Sequence, residues 1–421
     1  MAKGTCAGYR DDVGPMAVRS WGGVVVKEKL VRLGGAFTLV VAGAVMAGVS
    51  SMGAGAANAH ANYAAVCAGV PAGSARCDAM VVTDSQGNPS ASSTPAAGAY
   101  GPAQFHTAYA LPTTSSSAQT IGIVDAYNDP NVASDLATYD SYYGLPSCTV
   151  ANGCLSVVSQ TGTSKLPKSN SGWSLEISLD VQTAHEICQN CKILLVEANS
   201  NSMANLGASV NEAVKLGANV VSNSYGSSEY SGEVADSSSY FNHPGTMITV
   251  SAGDGGYGVE FPAASQYVTA VGGTTLYLNA DNTYQSEAAW AKTGSGCSAY
   301  IAKPTWQLDT GCASRTVGDV SADADPATGA AVYDSVRYQG QSGWFTVGGT
   351  SLSSPLVGAT YALAGNASAL NYGSNAYANT ASLHDVTTGS NGTCSPPYLC
   401  TAQVGYDAPT GNGSPNGLGA F

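Results

Sequence analysis

Two carboxyl side chains on one predicted helix could do acid–base chemistry. Glu176 and Asp180 stand four residues apart in SGWSLEISLDVQTAHEI, so they lie one helical turn apart on the same face. Ile177, Val181 and Ala184 form the adjoining apolar stripe, which places both carboxyls at the border of the buried side. Like charges at this spacing destabilise a helix by about 0.2 to 0.5 kcal/mol, and by more when partly desolvated, unless one carboxyl holds a proton. A solvated acidic face is the alternative.

A serine and an aspartate in two glycine-rich segments are the other candidates. In VGGTSLSSPLVGATYALAG, Gly348 and Gly349 stand just ahead of Ser351, where a predicted helix begins. Glycine permits a close approach, and a serine at a helix N-terminus presents its hydroxyl near backbone N–H groups, as a nucleophile requires. A simple N-cap is the alternative. In TVSAGDGGYG, Asp254 follows a predicted buried strand, where an ordinary Asx turn is the alternative.

The segments that must position these residues alternate between apolar runs and amphipathic stretches. Five apolar runs predict strands: Thr120–Tyr127, Lys192–Ala198, Ala218–Ser224, Met247–Asp254 and Tyr267–Gly273. Three amphipathic stretches predict helices: Val132–Tyr143, Trp173–Ile187 and Met203–Leu216. Strands that are apolar almost throughout and alternate with helices indicate an α/β fold, with a parallel sheet covered by helices on both faces. Catalytic groups collect at the carboxyl edge of such sheets, and Asp254 ends one of these strands.

The amino-acid composition excludes some classes of protein and some binding partners. The 421 residues include 28 Asp and Glu against 15 Lys and Arg, for a formal net charge of -13, and 44% are hydrophobic. That hydrophobic content supplies a large core and excludes a disordered chain. The negative charge argues against an electrostatic grip on nucleic acid phosphates or anionic lipid. We therefore expect no nucleic acid partner.

The N-terminal region has the layout of a secretory signal. Basic residues precede the charge-free apolar run Leu33–Val49, and small residues then give A-x-A cleavage patterns. We expect residues 1–59 to be a signal peptide of a secreted, extracellular protein, with no stable membrane association after its removal; an uncleaved membrane anchor is the alternative. Residues 60–119 are rich in Ala, Ser and Gly and predict a linker or surface wrap. The ordered body is expected over residues 120–421.

Cysteine spacing indicates disulfides. Cys6 belongs to the predicted signal, and the other ten cysteines fall into close sequence neighbours. An even count at local spacing in an exported chain predicts up to five short-loop disulfides. The expected pairs are Cys67/Cys77, Cys148/Cys154, Cys188/Cys191, Cys297/Cys312 and Cys394/Cys400. A metal or redox site at Cys188 and Cys191 is the alternative, which needs a reducing compartment or a second ligand pair.

The candidate motifs together resemble a known family. The string GTSLSSP, Gly349–Pro355, resembles the nucleophile motif of the subtilisin clan, but no H-G-T-H motif occurs in the sequence. Where a subtilisin has its histidine, this chain has Glu176 and Asp180. The chain resembles the sedolisins, the serine-carboxyl peptidases, whose triad is Ser, Glu and Asp, and the likeness runs from about Tyr100 to the C-terminus. The resemblance implies a subtilisin-like parallel sheet in the single catalytic domain of an endopeptidase.

The resemblance implies a role for each residue of these motifs. Ser351 would be the nucleophile, Glu176 its general base, and Asp180 the group that holds and modulates Glu176. Asp254 would donate to the oxyanion, which a carboxyl group can do only while protonated. Glu176 and Asp180 would titrate as a coupled pair that keeps a shared proton, so we expect activity in acid and its loss towards neutrality. Asp125, which ends the first strand, is interpreted as structural.

The resemblance also implies one structural calcium ion near the C-terminus. The family binds this ion through two Asp side chains and three backbone carbonyls. The corresponding positions here are Asp385, Val386, Gln403, Gly405 and Asp407, with the two Asp side chains and the carbonyls of the other three as ligands. All are hard oxygen ligands of the kind that Ca2+ prefers, and Gly405 permits a tight loop.

Polypeptide substrates are expected along one backbone edge. The resemblance places this edge at Asn223, Ser224, Tyr225 and Gly226, exposed so that an extended peptide can add as a strand. A monomer is expected.

Two other functions remain open. One is a secreted binding module that keeps the fold and the calcium loop but does not cleave peptides. The other is a neutral subtilisin-type hydrolase that uses Asp125 and an unrecognised histidine such as His185, with activity that rises towards neutral pH.

Overall fold

The structure, a computed structural model, describes residues 62–67, 69–70 and 73–421. The predicted signal peptide over residues 1–59 lies outside these ranges. The α-helices of the described residues are α1 Pro102–Ala108, α2 Val132–Tyr143, α3 Ser171–Ile187, α4 Met203–Lys215, α5 Glu233–Asp236, α6 Thr350–Ala364 and α7 Ser374–Ala378. Short π or 3-10 turns are Ser237–Phe241, Ala367–Ala369, Thr380–Ser382 and Pro397–Leu399.

The strands of the described residues run from the N-terminal segment to the last turn. They are β1 Asn62–Ala65, β2 Arg76–Cys77, β3 Met80–Thr83, β4 Thr120–Ala126, β5 Leu155–Ser159, β6 Lys192–Ala198, β7 Val220–Asn223, β8 Tyr225–Ser228, β9 Met247–Ser251, β10 Glu260–Phe261, β11 Thr269–Leu278, β12 Tyr284–Ala289, β13 Gly296–Ala302, β14 Ser314–Val317, β15 Val320–Asp323, β16 Ala330–Tyr338, β17 Gln341–Gly348, β18 Leu383–His384 and β19 Ser414–Pro415.

In the part of the chain that the structure describes, the central sheet has eight strands, and seven of them are parallel. Its order is β12-β11-β9-β7-β4-β6-β5, with β15 paired to β11. Only β12 runs antiparallel to its neighbour, β11. The strands are almost entirely buried, as expected for a sheet that is covered on both sides. The predicted α/β fold with a parallel sheet is therefore confirmed.

Helices cover both faces of this sheet. Gly122 of β4 faces α4, where an added Cβ would lie 3.2 Å from the Ala213 methyl carbon. In the next strand, β7, Ser222 faces Gly358 of α6. Gly122 pairs with Val221, and successive side chains of a strand point to opposite faces, so α4 and α6 lie on opposite sides of the sheet.

The described chain is already in a strand at Asn62, ahead of the expected start of order at residue 120. Strand β1 pairs with β3, β3 pairs with β17, and β2 pairs with β8. These short strands carry little pattern of their own, because their partners lie far away in the sequence. The segment thus packs on the body of the protein instead of forming a plain linker.

All five expected disulfides are confirmed. The bonded pairs are Cys67–Cys77, Cys148–Cys154, Cys188–Cys191, Cys297–Cys312 and Cys394–Cys400. Because Cys188 and Cys191 are bonded to each other, neither offers the free thiolate that a metal site there would need. Within the described residues, no helix combines the length and the apolar character needed to cross a membrane.

Candidate active site

Ser351 lies in the first turn of α6, directly after β17. The turn requires Gly349, whose φ of 94° falls in the region that favours glycine. Pro355 lies one turn later and has no N–H to donate back, so the Ser351 carbonyl instead accepts a hydrogen bond from Ser224 Oγ at 3.3 Å. Ser351 Oγ donates to the Ser224 carbonyl at 3.2 Å. The hydroxyl and the backbone N–H of Ser351 are thereby presented at the start of the helix.

Asp254 lies beside Ser351 and has one free oxygen. Its Oδ1 accepts hydrogen bonds from the backbone N–H of Thr350 at 2.8 Å and from the Thr350 hydroxyl at 2.9 Å. Its Oδ2 is buried without a hydrogen-bond partner, and a Cβ built on Gly349 would lie 2.5 Å from it. Burial raises the pKa of Asp254 to about 8, although the Thr350 bonds oppose the rise. Because Oδ1 already accepts two bonds, the proton belongs on Oδ2, where it can be donated.

Glu176 and Asp180 meet a third carboxyl group, that of Asp125. All three side chains are fully buried, so the alternative of a solvated acidic face is wrong. One oxygen of each lies within 4.8 Å of an oxygen of the others. None of their six carboxyl oxygens has a hydrogen-bond partner, and none joins an ion pair among the described residues. Three such groups cannot all be ionised in a buried cluster without a large electrostatic cost.

The pKa values of this cluster are all raised. Burial raises the pKa of Asp125 to about 8. The pKa of Glu176 is raised by burial and then by Asp180 and Asp125, while the Ser351 hydroxyl facing it opposes the rise. The pKa of Asp180 is raised by burial and then by Asp125, while the Ser224 hydroxyl opposes it. The cluster therefore shares protons and titrates as one system, with a carboxyl next to the candidate nucleophile.

The expected substrate edge is present but is not exposed. Ser224 and Tyr225 are fully buried, as is Asn223, whose side chain donates to the Thr249 carbonyl at 3.1 Å. Strand β2 of the same chain covers the edge by pairing antiparallel with β8, which includes Gly226. The prediction of an exposed edge is wrong because the chain supplies its own added strand.

A second group of charged residues beside Asp254 was not found from the sequence. Asp78 accepts a hydrogen bond from the Ser251 hydroxyl at 2.7 Å, and Arg76 binds Glu260 at 2.8 Å. Burial raises the pKa of Asp78, and Glu260 and Asp254 raise it further, against the effect of Arg76. No local motif marks these residues, since their effect depends on the strand pairing that brings them to the site.

The histidines of the described residues lie away from this site. His185 is fully buried in the last turn of α3, where Nε2 binds the Pro146 carbonyl at 2.9 Å and lies 3.3 Å from Asp140. The prediction that His185 could partner Asp125 in a neutral subtilisin-type hydrolase is therefore wrong. The remaining described histidines bond or stack elsewhere, namely His106, His243 and His384.

The expected calcium ligands gather in one loop. The N–H of Gly405 donates to Asp385 Oδ2 at 2.9 Å, and the N–H of Gln403 donates to Asp407 Oδ2 at 2.9 Å. Asp407 is buried, which raises its pKa to about 7, and Asp385 adds to the rise. No basic side chain among the described ion pairs balances the two carboxyls. With the nearby Val386 carbonyl, this set of hard oxygens fits Ca2+.

Comparisons with known proteins agree with this geometry. A family profile described as the subtilase family matches residues 168–392, just over half of the chain. Sedolisin of Pseudomonas sp. (strain 101) is 30% identical over 78% of this chain and 62% of its own length. Xanthomonalisin of Xanthomonas sp. (strain T-22) is 28% identical over 76% of this chain and 45% of its own length.

A solved structure extends the comparison to the fold. Pseudomonas sedolisin, described as a serine-carboxyl proteinase, superposes with a TM-score of 0.64 and 28% identity, over 76% of this chain and 95% of that one. A parallel sheet with helices on both faces and a serine at the start of a buried helix defines the subtilisin-like class of serine peptidase folds. The chain belongs to the subtilase family and, within it, to the sedolisins. It spans roughly half to two thirds of the length of the curated relatives named above.

Proposed function

We propose that this chain is a secreted serine-carboxyl endopeptidase that acts in acid and hydrolyses peptide bonds through an acyl-enzyme on Ser351. One observation carries the proposal: Ser351 stands at the start of a buried helix, its hydroxyl acts on the buried Glu176 carboxyl, and the free Oδ2 of Asp254 lies against the turn at Gly349 just ahead of it. A nucleophile, a proton acceptor and a proton-bearing donor are the three groups that acyl transfer needs.

Each side chain takes one step of the reaction. Glu176 accepts the Ser351 hydroxyl proton as the oxygen attacks the substrate carbonyl, and later donates it to the leaving amine. Asp180 shares a proton with Glu176, and this shared proton adjusts the basicity of the Glu176 carboxyl. The backbone N–H of Ser351 and the protonated Asp254 donate to the oxyanion. A substrate strand would take the place of β2 along the edge from Asn223 to Gly226.

Acid activity is supported by the buried carboxyl groups. An ionised Asp254 would repel the oxyanion, so activity is retained in acid and declines only above neutrality, as pH rises through the Asp254 pKa of about 8. Glu176 becomes a better base over the same range, so the loss at high pH comes from Asp254. At low pH the coupled pair of Glu176 and Asp180 becomes fully protonated and activity falls again.

The location, the domain bounds, the substrates and the calcium site are proposed from the resemblance to serine-carboxyl peptidases. We propose that residues 1–59 direct export and that residues 120–421 form the catalytic domain, with polypeptides as substrates and a monomer as the active form. Five disulfides among the described residues support an oxidising, extracellular location. Asp385, Asp407 and the carbonyls of Val386, Gln403 and Gly405 would hold one Ca2+, which would brace the C-terminal loop by joining its two carboxyl groups.

The test is hydrolysis of an unfolded protein from about pH 2 to pH 8 by the wild type and two variants. Ser351→Ala and Glu176→Gln remove the nucleophile and the base. Ser353→Ala is the matched serine control, because its hydroxyl only donates to the Thr350 carbonyl within the same helix. Glu186→Gln is the matched glutamate control on α3, where Glu186 accepts from the Tyr139 hydroxyl.

The expected result is acid activity in the wild type and both controls and its loss in the two active-site variants. Absence of hydrolysis at every pH by a folded, calcium-loaded wild type would overturn the proposal in favour of a binding module. Activity that survives Ser351→Ala would overturn the assigned mechanism.

A further inference from the structure

Three buried aspartates that the proposed mechanism does not use form a second carboxyl cluster. Asp129 lies in the loop after β4, Asp135 in the first turn of α2, and Asp334 on β16. One oxygen of each carboxyl group lies within 4.8 Å of an oxygen of each of the other two. None of the three residues is more than 2% exposed. The fold therefore collects three acidic side chains, from elements far apart in the sequence, in one buried place.

Hydrogen-bond donors surround the second carboxyl cluster. Every carboxyl oxygen in it except Asp334 Oδ2 accepts a hydrogen bond. The donors are the N–H groups of Asn131, Ser335 and Val336 and the hydroxyls of Ser178 and Ser335, at 2.7 to 3.3 Å. Donors that point at carboxyl oxygens favour the ionised form. The oxygens of Asp125, Glu176 and Asp180 have no such donors among the described residues, so only the second cluster is arranged as a set of carboxylates.

The remaining oxygen, Asp334 Oδ2, is buried and accepts no hydrogen bond. A buried carboxylate oxygen without a donor or a cation is costly. No described ion pair brings a basic side chain to the cluster, and Arg337, three residues further along β16, is exposed. Glu197, whose Oε1 accepts from the Asp129 N–H at 3.1 Å, adds a further acidic group. The described part of the chain thus supplies no positive charge to balance these carboxylates.

We propose that Asp129, Asp135 and Asp334 bind a divalent metal ion, Ca2+, at a site separate from the C-terminal loop. Carboxylate oxygens are the hard ligands that Ca2+ prefers, at about 2.3 to 2.6 Å from the ion. Two ligands of one such ion can stand up to about 5 Å apart, so the spacing of the three oxygens permits them to share one ion. The free Asp334 Oδ2 gains a partner in this way. The inference does not depend on the peptidase function.

An ion at this site would brace the elements beside the catalytic carboxyl groups. Asp129 follows Asp125 by four residues, so it lies in the loop that leaves the carboxyl end of β4. The hydroxyl that donates to Asp129 Oδ2 at 3.3 Å belongs to Ser178, which lies on α3 midway between Glu176 and Asp180. The ion would join this loop to α2 and β16 without contact with a substrate. Its expected role is therefore structural.

The experiment counts the ions that the full chain binds. Wild type and variants are dialysed to equilibrium at about pH 7.5 against equal concentrations of Ca2+ and Mg2+, and the bound metals are measured by mass spectrometry. Asp334→Asn keeps an oxygen that can accept from the Val336 N–H but replaces the free Oδ2 with an NH2 group, which binds no metal. Asp407→Asn removes a ligand of the C-terminal loop. The double variant carries both changes.

Asp323→Asn is the matched control. Asp323 is also fully buried, its Oδ1 accepts from the Leu276 N–H and the Thr328 hydroxyl, and its Oδ2 has no partner. It belongs to none of the groups of acidic side chains in the described residues that are close enough to share an ion. Loss of metal in Asp334→Asn but not in Asp323→Asn therefore reports on the cluster and not on the removal of a buried charge.

We expect the wild type and Asp323→Asn to bind two Ca2+ per chain, Asp334→Asn and Asp407→Asn one each, and the double variant none. Equal Ca2+ content in the wild type and in folded Asp334→Asn would overturn the inference, whatever the C-terminal loop binds. Mg2+ in place of Ca2+ at the cluster would overturn the choice of ion. If Asp334→Asn does not fold, Asp407→Asn decides: one bound Ca2+ supports the second site, and none overturns it.

Discussion

Replacing Asp254 by Asn keeps a hydrogen-bond donor at this position but makes its donation independent of pH. In the structure, Oδ1 accepts two hydrogen bonds from Thr350, at 2.8 Å and 2.9 Å, while Oδ2 is free. An asparagine must therefore direct its carbonyl oxygen to Thr350 and its NH2 group into the space that Oδ2 occupies. That amide donates a hydrogen bond at every pH, whereas the carboxyl group donates only when protonated.

The size of the effect on activity follows from the pKa of Asp254 and from the rate enhancement that one hydrogen bond to the oxyanion provides. With a pKa of about 8, Asp254 is roughly one tenth protonated at pH 9 and about one hundredth at pH 10. Loss of one donor lowers kcat by about 10² to 10³, or roughly 2.7 to 4 kcal/mol. Asp254→Ala should show that loss at pH 5, and Asp254→Asn should stay within about tenfold of the wild type there. Above pH 8 the Asp254→Asn activity should persist where the wild type declines.

The assay is the initial rate of hydrolysis of an unfolded protein, measured from about pH 4 to pH 10. Tryptophan fluorescence in the same samples checks that each variant remains folded. The reasoning is refuted if Asp254→Asn is as inactive as Asp254→Ala at pH 5, or if its alkaline decline coincides with that of the wild type.

Stability should fall as pH rises, because the pKa values of buried carboxyls such as Asp125 and Glu186 are raised to about 8 in the folded state, from about 4 when unfolded. Below pH 4 these carboxyls are protonated in both states and contribute their full stability, which is lost as pH rises to about 8. Each group contributes about 1.4 kcal/mol of unfolding free energy per unit of pKa shift. A Tm that is higher at pH 8 than at pH 5 would contradict this prediction. Removing Ca2+ with a chelator at pH 6 should lower the Tm of the wild type by more than that of Asp407→Asn, and the idea fails if chelation leaves the wild-type Tm unchanged.

The elements with long apolar or periodic runs could be predicted from the sequence. Helix α2 and strand β6 have the predicted bounds, Val132–Tyr143 and Lys192–Ala198. Strands β1 to β3 could not be predicted, because two or four residues carry no usable period and their pairing depends on distant partners. Local pattern therefore predicts the sheet but not what lies across its edge.

Some residues of the candidate site could likewise be predicted from local motifs, and others could not. Motifs around Glu176, Ser351 and Asp254 identified side chains that the fold brings together, since glycine turns and helical spacing are local properties. The contribution of Asp78 was not predicted, because it arises from a strand that crosses the site from elsewhere. Asp125 was interpreted as structural, and it joins the same carboxyl cluster as Glu176, because residues that end neighbouring elements meet only in the folded chain.

The disulfides bear on how the chain becomes oxidised. Each of the five closes between cysteines only 3 to 15 residues apart, and no two of the loops overlap in the sequence. A chain that enters an oxidising compartment N-terminus first would offer each cysteine its partner before the next pair arrives, so pairing can proceed in order without an isomerase sorting distant thiols. Loops this short constrain the unfolded chain only locally. Mild reduction should therefore release single short loops, each independently of the other four.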